Sequence, residues 1–362
     1  MTTPSRPRRA LAAAAVLTVA TLLFACAACS SDHKKKAEAV PTSPPQTATL
    51  SSPTPTPKPK PKPPAPRNPY TDIGGVPTNP VVAVKIDDTA AGRPQRGIDL
   101  ADVVYIEAVE GGLTRLAAIY ATHLPTVGYV RSTRPSDPDL LLQYGKITEA
   151  YSGGAHDSLP RVHRSGITSW SNDAGAAFYA RAPHYGDHGY INLVLNLSKV
   201  AHTTKTTRPR SIGWTFTATY AGLPVTTGTS LRTVVRGSNA AGTPVEFRYD
   251  ARLRKYVRYI DGVRQRAADG QPVAATNVIV QQCRVVAHPA DSDVLGNPSQ
   301  FTYTVGRGAV SVFRQGKRIN GTWTRPYLTS GTTLRTAAGK PLPLAPGNTW
   351  VVLVTNRTPV RS

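Results

Sequence analysis

The chain has 362 residues and a formal net charge of +22, from 43 Lys/Arg against 21 Asp/Glu, with 33 prolines, 29 glycines and three cysteines. Three cysteines, two of them three residues apart near the start, exclude a disulfide framework. The basic balance points to anionic surfaces, yet no zinc-finger spacing or RNP-type aromatic motif accompanies it, so no nucleic acid is expected as a partner.

Residues 1–29, "MTTPSRPRRALAAAAVLTVATLLFACAAC", open with Arg6, Arg8 and Arg9 and continue as a mostly apolar run. That is the layout of an export signal. Leu23, Phe24 and Ala25 precede Cys26 as in a bacterial lipoprotein signal, which makes Cys26 the expected site of diacylglycerol attachment and Cys29 the alternative. An uncleaved anchor is the competing reading, since residues 10–28 nearly reach the length of a membrane span. Either reading places the rest of the chain on the outer face of the cytoplasmic membrane, facing the cell wall. Residues 30–69 contain twelve prolines, and Lys58, Lys60 and Lys62 alternate with proline in "TPTPKPKPKPP". This composition predicts a disordered or polyproline-type tether, too polar to form a core.

Charge is uneven beyond the tether. Residues 70–150 carry seven Lys/Arg and ten Asp/Glu, a net of −3, whereas residues 211–362 carry nineteen against six, a net of +13. In the first part, "VVAVKID" (81–87), "DVVYIEAVE" (102–110) and "TRLAAIYAT" (114–122) have the length and β-branched content of strands. "EGGLT" is short enough to join two antiparallel strands, with Gly111 and Gly112 taking positive φ. "SDPDLLLQYG" predicts a helix with Asp137 as N-cap and Pro138 in its first turn, and "DSLPRVHRSG" a second helix capped by Asp157. After a joint at 205–225 the pattern becomes all-β: "VEFRYDARLRKYVRYIDG" with a turn at 250–254, "TNVIVQQCRVV", a run over 301–325, and "TWVVLVT". The expected fold is α+β, with a mixed α/β domain over 70–210 and a mostly antiparallel β domain over 211–362.

The stretch 81–137 also resembles the DUF3048 family of YerB-like lipoproteins. The likeness rests on "RPQRG", "ADVVY", "EGGLTR" and "GYVRSTRPSD", and it continues through "SGG" (152–154), "RAPH" (181–184), "GTW" (321–323) and "PGNTWVVLV" (346–354). Two positions depart from the family pattern: Tyr185 stands where asparagine is usual, and Ser152 where a histidine precedes the glycines. The resemblance implies an exported lipoprotein with two family segments, and it implies no reaction.

Candidate chemistry concentrates in "GYVRSTRPSDPD". Arg131 and Arg134, with Arg93 and Arg115 upstream, Ser132 between them, Asp137 and the later His184, form the expected ligand-binding set. Guanidinium groups bind carboxylate or phosphate through paired N–H groups. The same arginines equally fit internal clasps to Asp137, Asp139, Glu107 or Glu110. Glu107 and Glu110 are the weak catalytic candidates, as general acid and base of a wall-active hydrolase or lyase. Strand alternation places them on opposite faces unless a turn intervenes. His156, His163, His184 and His188 lie on loop-like sequence without metal-site spacing, so neither metal nor cofactor is expected. Cys283 in "VIVQQCRVV" and the tryptophans in "GTWTR" and "NTWVV" read as core residues. The function that follows is a membrane-anchored, non-catalytic envelope protein with an Arg-lined cleft for an anionic or peptide-like ligand. Its partners would be the membrane through its lipid, and an anionic wall polymer or another envelope protein.

Overall fold

Ten strands form the path of one large mixed sheet in the computed structural model, which describes residues 65–183, 191–204, 207–238 and 241–362. Cys26, Cys29, the tether as far as residue 64, His184 and His188 lie outside the described residues. In chain order the strands are β1 (Val82–Asp87), β2 (Val103–Ala108), β3 (Thr114–Tyr120), β4 (Thr148–Tyr151), β5 (Thr168–Ser171), β6 (Asn277–Ser292), β7 (Gly306–Arg314), β8 (Lys317–Arg325), β9 (Thr333–Thr336) and β10 (Thr349–Thr355). Across the sheet they run β9-β8-β7-β6-β10-β2-β3-β1-β4-β5. β10 lies between β2 and β6, parallel to both, so strands from the two halves of the sequence share one hydrogen-bonded ladder. The β2–β3 and β1–β3 pairs are antiparallel, and β4 adds to β1 in parallel.

Both faces of this sheet are covered, which explains why β1, β2 and β3 read as nearly unbroken apolar runs. Val82, Val84, Ile86, Val104, Ile106, Leu116 and Trp350 pack on one side. Ala83, Val103, Tyr105, Ala117, Ile119 and Trp323 pack on the other. Cys283 on β6 is fully buried, and its thiol is pushed up to about 12 by that burial. A second, antiparallel sheet joins Ser230–Arg236, Gly242–Asp250 and Lys255–Ile260 around the expected turn at 250–254. The described residues are thus mostly β, in mixed and antiparallel sheets.

The helices are short: α1 (Asp137–Leu141), α2 (Ser158–Ser165) and α3 (Leu197–Thr203). Ser136, rather than Asp137, occupies the N-cap of α1, with Pro138 in the first turn as expected. Asp157 does stand at the N-cap of α2, but its carboxylate does not cap. Asp291 from the end of β6 accepts the N–H groups of Asp157 (2.8 Å) and Ser158 (3.2 Å) instead. A distant acceptor thereby satisfies the open end of the helix. In the β2–β3 connection Gly111 and Gly112 have φ of 64° and 75°, as the sequence predicts. A Cβ on Gly112 would also come within 2.7 Å of Ala241.

Candidate functional site

One face of β1, β2 and β3 changes character along its length. Ala83, Val103, Tyr105, Ala117 and Ile119 are apolar, whereas Lys85, Asp87, Glu107 and Arg115 follow on the same face towards one end. The register sets Arg115 opposite both Asp87 and Glu107, so β3 carries a cation between two acids. Segment 131–136 and α1 close over this polar end. Lys85 Nζ contacts Glu107 Oε1 and lies 2.9 Å from Asp137 Oδ1, with all three side chains at most 2% exposed. Desolvation pulls the Lys85 ammonium below its ordinary value, against the favourable pull of Asp137.

Glu149 on β4 completes this buried cluster. Thr133 Oγ1 is 2.7 Å from Glu149 Oε1 and 3.1 Å from Asp137 Oδ2. A threonine hydroxyl has one proton to donate, so two ionised acceptors would leave one contact without hydrogen. Burial, followed by repulsion from Asp137, pushes the Glu149 carboxyl up to about 8. A protonated Glu149 donates to Thr133, which in turn donates to Asp137, and every contact is then satisfied. Asp137 Oδ2 also accepts the Arg134 backbone N–H at 2.6 Å.

Immediately outside this cluster lies a cavity of about 440 Å³ lined by Arg115, Arg131, Ser132 and Arg134, with Glu110 among them. Arg134 is clamped: its Nε donates to Glu110 Oε2 at 2.9 Å, its Nη2 contacts the same oxygen, and its Nη1 donates to Thr133 O at 2.9 Å. Glu110 Oε1 accepts from Ser299 Oγ at 2.5 Å. Burial alone would raise the Glu110 carboxyl, but Arg134 and Ser299 outweigh it and hold the group below its ordinary value. Arg131 Nε lies 3.4 Å from Asp87 Oδ2.

Arg115 differs from its neighbours. It is 6% exposed, its Nη1 reaches only Ser132 O at 3.4 Å, and its Nε has no hydrogen-bond partner. Among the described residues no carboxylate lies within ion-pair distance of it. Desolvation, then repulsion from Arg134 and Arg131, drags its guanidinium down to about 9. A desolvated cation thus faces an open cavity, flanked by two more.

The structure therefore brings Arg115, Arg131, Ser132, Arg134 and Glu110 to one cavity, with Asp137 fully buried beneath it. Arg93 lies elsewhere, half-buried, its Nε donating to Thr89 O at 2.9 Å. His184 is outside the described residues. The 3₁₀ turn Glu110–Gly112 separates Glu110 from Glu107, which is sealed against Lys85. Four partners were not legible as site residues: Lys85, Glu149, Ser299 and Arg258. Arg258, from the second sheet, holds Asp88 through two bonds of 2.7 and 2.8 Å although 170 residues separate them. The only signal available for Lys85 and Glu149 was a charged residue within an otherwise apolar strand.

Comparison with known proteins accords with this architecture. Residues 69–210 match the family model described as "Protein of unknown function (DUF3048) N-terminal domain", and residues 233–351 match the corresponding C-terminal domain. The chain is similar to the "Putative lipoprotein YerB" of Bacillus subtilis (strain 168), with 28% identity over 287 residues, covering 75% of this chain and 80% of that protein. Among solved structures, the crystal structure of the YerB protein from Bacillus subtilis aligns with a TM-score of 0.67 and 22% identity, over 82% of this chain and 99% of that one. That likeness establishes the shared fold.

Proposed function

The chain belongs to the DUF3048 family, and we propose that it serves the cell envelope as an exported, lipid-anchored binding protein whose arginine cavity holds an anion. The lipoprotein relative and the signal pattern ending at Cys26 support the anchored address. Among the described residues no helix is long and apolar enough to cross a membrane. The observation that carries the binding reading is Arg115: a buried guanidinium, without a carboxylate in ion-pair reach among the described residues, in the wall of a cavity it shares with Arg131 and Arg134. A binding role also fits the state of the two acids considered for catalysis. Glu107 is inaccessible and paired with Lys85, and Glu110 is ionised and clamped by Arg134, so neither offers a proton to a substrate.

Urea unfolding of the full chain in detergent micelles, in phosphate against chloride at matched ionic strength, tests this reading. A ligand bound only by the folded state stabilises it by RT ln(1 + [L]/Kd), about 2.7 kcal/mol at a hundredfold excess over Kd. The unfolding midpoint should rise with phosphate more in the wild type than in Arg131→Ala, which removes one of the three cavity arginines. No phosphate-specific rise in the wild type, or an equal rise in the variant, contradicts it.

A further inference from the structure

The rim of the same cavity is apolar. Leu113, Val294 and Leu295 line it together with the three arginines, and their exposures are 49%, 102% and 83%. Val294 and Leu295 sit at the tip of the loop between β6 and the strand Pro298–Tyr303. This tip is braced from within: Asp293 Oδ1 accepts the N–H groups of Leu295 (2.9 Å) and Asn297 (2.8 Å), and its Oδ2 accepts Asn297 Nδ2 at 3.0 Å. Gly296 takes φ of 79°, which closes the turn. The aliphatic pair is thus presented outward on a locally braced loop, uncovered by the described residues.

Arg134 is paired with Glu110 and Arg131 with Asp87, which leaves Arg115 as the lining cation without a carboxylate in ion-pair reach among the described residues. An apolar tip beside a receptor for one negative charge matches the boundary of a bilayer, where a phosphodiester lies next to acyl chains. We propose that the cavity captures the monoanionic phosphodiester headgroup of a bilayer lipid while Val294 and Leu295 enter the acyl boundary beside it. This inference rests on the anion-binding reading above and names the source of its anion. It also gives the exposed aliphatic pair an environment that water does not provide.

The test uses the full chain, reconstituted through its own anchor into vesicles of phosphatidylcholine alone or mixed with phosphatidylglycerol, with brominated acyl chains in both. Fluorescence of a Leu295→Trp variant is measured, and the contribution of the four native tryptophans is subtracted using the wild type. Quenching at position 295 should be at least twofold greater with phosphatidylglycerol, and Arg115→Gln in the same background should remove the difference. Urea midpoints of the variants confirm that each is folded. Absent quenching, or quenching equal in the two lipids, overturns the inference. If phosphate still raises the unfolding midpoint while position 295 stays unquenched, the occupant is a soluble anion or an anionic group on another molecule. The anion site then stands without the bilayer, whereas loss of both effects removes the binding reading as well.

Discussion

Replacing Arg115 by methionine should make the ligand-free protein more stable and deprive it of its anion. In the fold the guanidinium is dragged well below its ordinary value, to about 9, because it is desolvated and faces Arg134 and Arg131. At every pH below 9 that depression disfavours the folded state by several kcal/mol, at roughly 1.4 kcal/mol for each decade. Its compensating bonds are few: one contact of 3.4 Å to Ser132 O and none at Nε. Methionine keeps most of the volume and removes the charge, and replacing a poorly matched buried ion by an apolar side chain gains about 1–4 kcal/mol in comparable cases. Urea unfolding in chloride buffer, followed by tryptophan fluorescence, should therefore show a higher midpoint for Arg115→Met than for wild type. The phosphate-dependent rise should disappear in the variant. A variant less stable than wild type by about 2 kcal/mol or more would refute the reasoning, since an internal clasp and not a vacant receptor loses stability when truncated.

Glu149 makes stability depend on pH. Its carboxyl titrates at about 8 in the fold against an ordinary 4.5, so between those values the folded state holds the extra proton. This contribution is fullest below about 4.5 and declines as pH rises to 8; Glu149→Gln should flatten that decline in a series of urea midpoints, and an unchanged slope would place the proton elsewhere. Arg258→Ala leaves Asp88 buried with Thr114 and Gln95 as its side-chain partners among the described residues, and it should cost about 3–5 kcal/mol in unfolding free energy. A loss below 1 kcal/mol would mean that water replaces the guanidinium. Asp291→Ala removes the acceptor at the start of α2 and should cost about 1–2 kcal/mol, with earlier proteolysis inside 157–166.

The strands and their connections were legible in the sequence because each is a local matter. β1, β2 and β3 lie within the apolar runs that announce them, and Gly111 and Gly112 mark a turn that only small residues make comfortably. Asp137 reads as an N-cap by residue type, but it is the first residue of α1, and its carboxylate accepts the Arg134 N–H three residues back instead of helix N–H groups ahead. The arginine cluster was visible as a group in "VRSTR", and Arg115 joins it through the β1–β3 register. What pattern could not supply were partners brought in from far along the chain: Ser299 on Glu110, Asp291 on α2, Arg258 on Asp88. Strand alternation set the acids Glu107 and Glu110 on opposite faces, but it did not give their partners. A lysine sealed one of them and an arginine clamped the other, and only the tertiary fold decides such a difference.

The binding role requires an anion to sit against Arg115. A crystal of the protein soaked in selenate, with anomalous data collected at the selenium edge, answers this directly, because one peak locates the ion among the three arginines. The prediction is an anomalous peak within hydrogen-bonding distance of Arg115 Nε or Nη, shared with Arg131, and lost in Arg115→Met. An empty cavity, with the Arg115 guanidinium turned onto Glu110 or Asp87, would contradict it and leave the arginines as a clasp between loops.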